Sequence, residues 1–274
     1  MLTPGLYIVA TPIGNLSDLT PRAAEILREA DLLAVEDSRV TAKLLSHLGV
    51  KRPMTPYHDH NADHARPGLI EQMRSKAIAL VSDAGTPLIS DPGYKLVRDA
   101  RAAGIAIHTL PGPSALIAAL TLAGLPTDRF LFLGFLPAKS GARASAIEEV
   151  AAVKATLVLY ESGPRLAASL TALAQGLGSR DAAVVREISK KFEETVTGSL
   201  AELAARYADS GPPKGEIVIV VAPPARAEPA GEDAIDEALR EAMTRLSPSR
   251  AAAEVSERLG VARRQVYERA LALK

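Results

Sequence analysis

The sequence predicts an α/β protein with a largely parallel sheet. Short aliphatic runs stop abruptly in loops of small, polar and turn-forming residues, and helical patterns separate one run from the next. Apolar runs of about four to six residues bounded by turn residues suit strands buried on both faces, as parallel strands are. Composition agrees: 47% of the 274 residues are apolar but only 4% are aromatic, so an aliphatic core must fill the interior.

Residues 6–10 form the first expected strand, which ends in the turn-rich loop Thr11-Pro12-Ile13-Gly14-Asn15-Leu16. Thr20 then caps a helix over 22–30, with Pro21 at its first position. A strand over 31–35 runs into Glu36-Asp37-Ser38-Arg39, and Tyr57-His58-Asp59-His60-Asn61 is a third loop of this kind. Ala79-Leu80-Val81 stops at Ser82-Asp83-Ala84-Gly85-Thr86-Pro87, where Asp83 can accept from a ligand hydroxyl or amine and Gly85 lets backbone approach a ligand closely. Ser90-Asp91-Pro92 starts a helix that Gly104 ends, and a strand over 105–110 stops at Pro111-Gly112-Pro113-Ser114-Ala115. Open α/β sheets bind ligands beyond the carboxyl ends of their strands, so these loops are the candidate site.

A second series follows. Strands are expected at 130–136, 156–160, 182–185 and 216–221, with helices at 141–153 and 166–174. The boundaries predicted are an α/β domain over 1–112, a second over 113–224, a Pro/Ala/Glu-rich linker over 225–233, and a helical tail over 234–274. Within the tail, helices over 249–259 and 261–271 joined at Gly260 outline a helix-turn-helix.

Several chemistries are excluded or weighed by residue type. The chain has no cysteine, which removes disulfides, thiolate metal sites and a Cys nucleophile. Zero formal net charge argues against coating nucleic acid nonspecifically and leaves room for a local basic patch. No basic segment precedes an apolar stretch at the N-terminus and no run approaches the ~20 apolar residues of a membrane helix, so a soluble cytoplasmic protein without membrane contact is expected. Neither a P-loop, a G-x-G-x-x-G fingerprint nor a G-x-S-x-G elbow is present. His58, His60 and His64, interleaved with Asp59 and Asp63, have metal-ligand spacing, but no second ligand cluster follows and no metal is expected.

Glu36 and Asp37 suit a general base with its electrostatic partner, or a solvated strand end with Arg39 as counter-ion. The dense charged run Arg186-Glu187-Ile188-Ser189-Lys190-Lys191-Phe192-Glu193-Glu194 follows a strand end and is either solvated or substrate-facing. Lys139 and Arg143 are placed to meet phosphate. Arg263, Arg264 and Arg269 suit a nucleic-acid contact or an ordinary packed helical hairpin.

Residues 7–16, the Glu36–Arg39 loop, the Ser82–Pro87 loop, Pro111-Gly112-Pro113-Ser114-Ala115 and Gly134-Phe135-Leu136-Pro137 together resemble the tetrapyrrole-methylase superfamily. Within it they resemble the ribosomal RNA small-subunit methyltransferase I branch. The resemblance continues through Tyr160-Glu161-Ser162, Arg186-Glu187 with Lys190-Lys191, and Lys214-Gly215-Glu216, so it covers about the whole chain. One departure is Gly163-Pro164-Arg165, where the family pattern carries Pro-His-Arg.

The resemblance implies two αβα domains of class III methyltransferase type, S-adenosylmethionine in the cleft between them, and a homodimer. It implies methyl transfer to the ribose 2′-hydroxyl of a cytidine in the decoding region of 16S rRNA in the small ribosomal subunit, without a metal. Pro12, Asp83, Ala84, Gly85, Thr86, Ser114, Ala115, Tyr160 and Gly215 would contact the cofactor. A ribose hydroxyl is a poor nucleophile, so a proton acceptor is expected near the methyl group, with Asp37 and Glu187 as candidates and Lys190 to steady negative charge. Glu36, Arg39, His58, Asn61, Lys139, Arg143, Arg165 and Lys191 are the candidate substrate contacts. Two rival readings stand beside this one: methylation of a porphyrin or corrin precursor, and a noncatalytic nucleic-acid-binding regulator acting through the terminal helices. The Lys/Arg-rich loops of the second domain suit a polyanion better than a macrocycle.

Overall fold

In the computed structural model, residues 2–58, 60–225 and 231–273 are described. The first half alternates strand and helix: β1 (Gly5–Val9), α1 (Pro21–Glu29), β2 (Leu32–Val35), α2 (Ser38–His47), β3 (Met54–Pro56), α3 (Ala62–Met73), β4 (Ala77–Val81), α4 (Tyr94–Ala102) and β5 (Ile107–Leu110). Its five strands are all parallel, in the order β3-β2-β4-β1-β5. All five residues of β4 are buried, because helices cover both faces of the sheet. Val9, Ala79 and Val81 pack against α1 and α2 through Leu27, Leu44 and Leu45. Leu6, Ile78 and Leu80 pack against α3 and α4 through Leu69, Met73, Leu96 and Ala100.

The second half comprises α5 (Ala115–Ala123), β6 (Phe130–Phe135), α6 (Ser140–Val150), β7 (Thr156–Ser162), α7 (Gly163–Leu177), β8 (Asp181–Arg186), β9 (Glu194–Ser199), α8 (Leu200–Ser210) and β10 (Glu216–Val221). Helix α5 covers one face of this sheet through Leu116 and Leu120, and α6, α7 and α8 cover the other. The αβα layering expected from the sequence is therefore present in both halves. The expectation of parallel strands fails here: in the order β6-β7-β10-β8-β9 only the β6–β7 pairing is parallel, and the other three pairings are antiparallel. Strands β8 and β9 are joined by a short loop, which can only return the chain antiparallel.

Other differences are local. Strand β9 escapes sequence reading because only Val196 of its six residues is buried. Helix α5, apolar on every side, offers no polar stripe to mark it. Helix α4 starts at Tyr94 rather than Ser90, since Leu88 and Ser90 adopt φ of 76° and 61°, which no helix allows.

Residues 1–224 form one compact unit and 225–274 another. The latter contains α9 (Glu232–Met243), α10 (Pro248–Leu259) and α11 (Arg263–Ala272) around a core that includes Ile235, Leu239, Val255 and Val266. Helix α9 begins inside the expected linker, of which residues 226–230 lie outside the described residues. Gly260, at φ 64°, turns α10 toward α11 as the helix-turn-helix outline requires. Arg269 is held by Glu232 and Asp236, each at 2.6 Å, and Arg264 by Glu268 at 2.9 Å. Arg269 therefore ties α11 to α9.

Candidate active site

Three strand ends of the first sheet are stitched into one platform. The backbones of Thr11 and Gly85 exchange two hydrogen bonds, of 2.9 and 3.0 Å, joining the loops after β1 and β4. The Thr86 hydroxyl donates to the Pro113 carbonyl at 3.0 Å, joining the loop after β4 to that after β5. Gly112 has no room for a side chain, as a Cβ there would stand 2.8 Å from the Ala10 Cβ.

A cavity of about 340 Å³ opens above this platform and is closed on its other side by the second sheet. That volume falls in the range of about 300–1,000 Å³ typical of small-molecule sites. Among the residues expected to hold a cofactor, Ala84, Gly85 and Thr86 line it from the loop after β4, Ser114 and Ala115 from the start of α5, and Tyr160 and Gly215 from the second sheet. Pro12 and Asp83 each precede a lining residue, Ile13 and Ala84. Asp83 faces the neighbouring strand end instead, accepting the Asp37 backbone N–H at 3.0 Å, and burial raises its pKa. Burial likewise pushes up the Tyr160 phenol, which is hydrogen-bonded to the backbone of Leu116.

Backbone strain concentrates at the rim. Among the described residues, Leu88, Ser90, Glu187 and Ser189 are the non-glycine residues with positive φ, and they flank or belong to the cavity-lining stretches. Such conformations cost of order 1–3 kcal/mol each and collect at functional sites.

The loop after β8 carries the charged cluster. Lys190 Nζ donates to Glu187 Oε1 and to Glu216 Oε2, both at 2.9 Å. Its methylene chain lies over Gly14, where a Cβ would come within 2.3 Å of Lys190 Cε. Ser189 also donates to Asp18, so this loop reaches across to the segment after β1. The Lys190 ammonium, followed by the Glu216 N–H, holds the Glu187 carboxyl below its ordinary pKa. Burial disfavours the charge on Lys190, but its bonds to Glu216 and Glu187 outweigh that and hold its pKa above the usual value.

Asp37 caps α2 and accepts from the Arg39 backbone and guanidinium, which hold its carboxyl at about 2. A depressed carboxyl supports the fold above the ordinary value of about 3.9, and that support fades as pH falls toward 2. In an Arg39→Ala variant the Asp37 titration midpoint, followed by carboxyl-carbon NMR, is expected to return toward 3.9; a midpoint still near 2 would show that Arg39 is not the cause.

The candidate substrate contacts are scattered. Glu36 is half-buried, while Lys139 at the start of α6 and Lys191 beside the Phe192 ring are exposed. Arg143 is half-buried. The side chain of Asn61 accepts the His58 N–H at 2.9 Å and donates to the Pro56 carbonyl at 2.9 Å, so it closes its own loop. Arg165 pairs with the cavity-lining Glu161 at 3.4 Å and donates to the Leu136 carbonyl. Glu161 is buried and accepts from Ser162 and Ser169. Sequence reasoning assigned no part to Ile13, Ile89, Phe135 or Ile188, which line the cavity and read in sequence as ordinary apolar residues. Among the described residues no group of three or more His, Cys, Asp or Glu could hold a metal; Asp59 lies outside them. No helix among the described residues is long and apolar enough to cross a membrane.

Residues 5–204 match the family Tetrapyrrole (Corrin/Porphyrin) Methylases, and residues 228–274 match the RsmI C-terminal HTH domain. The Ribosomal RNA small subunit methyltransferase I of Mesorhizobium japonicum is 50% identical over 275 residues, covering 100% of this chain and 93% of its own. That of Erythrobacter litoralis is 53% identical over 273 residues, covering 100% and 96%. A crystal structure of diphthine synthase superposes with a TM-score of 0.63 at 19% identity, covering 79% of this chain and 89% of that one. Uroporphyrin-III C-methyl transferase from Thermus thermophilus, complexed with S-adenyl homocysteine, gives 0.55 at 21% identity, covering 79% and 96%. These structures speak for the fold, whereas identity near one half along the whole length speaks for closer kinship. The chain belongs to the tetrapyrrole methylase family and, within it, to the group of ribosomal RNA small subunit methyltransferases I.

Proposed function

We propose that this protein methylates the ribose 2′-hydroxyl of a cytidine in the decoding region of 16S rRNA, using S-adenosylmethionine and acting on the small ribosomal subunit. The observation that carries this reading is full-length identity of 50–53% to proteins named for that subunit's RNA, against 19–21% to diphthine synthase and the uroporphyrin enzyme. The reading includes a cytoplasmic homodimer.

The cavity suits the cofactor. Apolar walls at Ile13 and Ile188 accept a purine face, and the Thr86 and Ser114 segments offer polar groups to a ribose and an amino acid. Gly215, at φ +98°, brings bare backbone to the wall at a point where a Cβ would meet the Glu187 carboxyl at 2.3 Å. When bound, the cofactor supplies an electrophilic methyl group on a sulfonium. The protein's part is to hold the ribose oxygen in line with it and to take the proton.

Glu187 is the better proton acceptor of the two candidates. It adjoins the lining residues Ile188, Gly215 and Glu216, whereas Asp37 is committed to Arg39 and the start of α2. Lys190 stays protonated and steadies the negative charge around the attacking oxygen or an adjacent phosphate.

The reading is tested with labelled S-adenosylmethionine and small subunits from cells lacking the protein, beside a porphyrin precursor. Label is expected in 16S rRNA as 2′-O-methylcytidine. Label in the porphyrin instead would overturn the reading. A protein whose melting temperature responds neither to the cofactor nor to S-adenosylhomocysteine would be a regulator rather than an enzyme.

A further inference from the structure

We infer that Phe135 is the stacking platform for the base of the nucleotide that is methylated; the inference rests on the functional reading above. The chain has four Phe and no Trp, so an aromatic ring placed in a cavity is a scarce resource here. Residues three apart on an unbroken strand point to opposite faces, and Phe132 and Phe135 should do so. They do not, because the β6–β7 register shifts between Phe132 and Gly134 and leaves Leu133 as an extra residue.

Phe132 pairs with Val158 and Phe135 with Tyr160, which puts both rings on one face. Both meet the Tyr160 ring in T-shaped contacts, with centroids 4.8 and 5.7 Å away. Gly134 makes the bulge with φ +62°, and a Cβ there would stand 3.2 Å from Ser90 Oγ. A bulge that re-aims one side chain beside an active site is a built feature.

The re-aimed ring lines the cavity and is still 55% exposed. Its T-shaped contact with Tyr160 fixes its orientation without a parallel ring stacked upon it. Ile89, 38% exposed, is contributed to the same cavity by the loop before α4, so the slot is apolar and open to solvent. None of the residues expected to hold the cofactor is on β6. A ribose inside folded RNA reaches such a cavity only if its nucleotide leaves the stack, and an aromatic face replaces the lost stacking whatever the base.

The test compares Phe135→Leu, which keeps apolar bulk without a ring, with Phe135→Tyr, which keeps the ring. The readouts are kcat/KM for small subunits at saturating S-adenosylmethionine and Kd for S-adenosylhomocysteine. Phe135→Leu is expected to lose roughly 10- to 100-fold in kcat/KM. Phe135→Tyr is expected to stay within about threefold, with Kd in both variants within about threefold of wild type, since Phe135 is not itself an expected cofactor contact and Tyr160, which its ring meets, keeps its contact with Phe132. An unimpaired Leu variant, an equal loss in both variants, or a loss of cofactor affinity that matches the loss of rate would each overturn the inference. In all three cases the wild type methylates small subunits and the functional reading stands; a wild type that methylates none overturns both.

Discussion

Glu187→Gln is expected to lower kcat for methyl transfer roughly 100-fold or more while cofactor affinity survives. The amide keeps the size and one acceptor oxygen of the carboxylate, so the Glu216 N–H, which donates to Glu187 Oε1 at 3.2 Å, retains a partner. Lys190 retains its bond to Glu216. What disappears is the group proposed to take the ribose proton. Because Lys190 holds the Glu187 pKa below its ordinary value, the wild-type carboxylate is ionised throughout the neutral range. Loss of rate from its protonation is therefore expected only below the ordinary glutamate value of about 4.3. Single-turnover rates with small subunits measure the effect, and near-normal turnover would remove Glu187 from the mechanism. Asp37→Asn provides the comparison, with a smaller effect expected because Asp37 serves the start of α2.

Gly163→Ala is expected to destabilise the protein by about 2–3 kcal/mol, the usual cost of forcing atoms into a filled space. A Cβ at this position would lie 1.8 Å from the Pro213 carbonyl oxygen, backbone against backbone, with no flexible side chain to yield. For a chain of this size the melting temperature should fall by roughly 5–10 °C. Cofactor affinity should fall with it, because Gly163 directly follows the cavity residues Glu161 and Ser162. A melting temperature within about 1 °C of wild type would refute the packing argument. This contact falls where the chain departs from the family pattern. Gly163 admits the Pro213 carbonyl, and Pro164 then stands in the first turn of α7, where its fixed φ suits a helix start.

The strand ends were legible because each signals itself twice, by an aliphatic run and by the turn residues that stop it. Gly85 and Gly112 were legible for the same reason, and the structure puts both where backbones cross closely. The apolar part of the cavity was not legible. Ile13, Ile89 and Phe135 look in sequence like any core residue, and only the meeting of two sheets turns them toward a shared space. Arg165 and Arg269 read in sequence as charges without partners, and only the structure shows their carboxylate partners Glu161, Glu232 and Asp236.

The sequence by itself determined the α/β class, the loops that border the site, the absence of thiol chemistry and the helical tail. Each depends on neighbours along the chain: a hydrophobic period, a cap, a turn or a residue type. Only the tertiary structure decided the mixed direction of the second sheet, the nearness of Glu187 rather than Asp37 to the cavity lining, and the face that Phe135 presents. These depend on strand pairing and on ion partners far away in sequence. The bulge at Leu133 shows the difference: a single extra residue in one strand reverses where the next aromatic ring points.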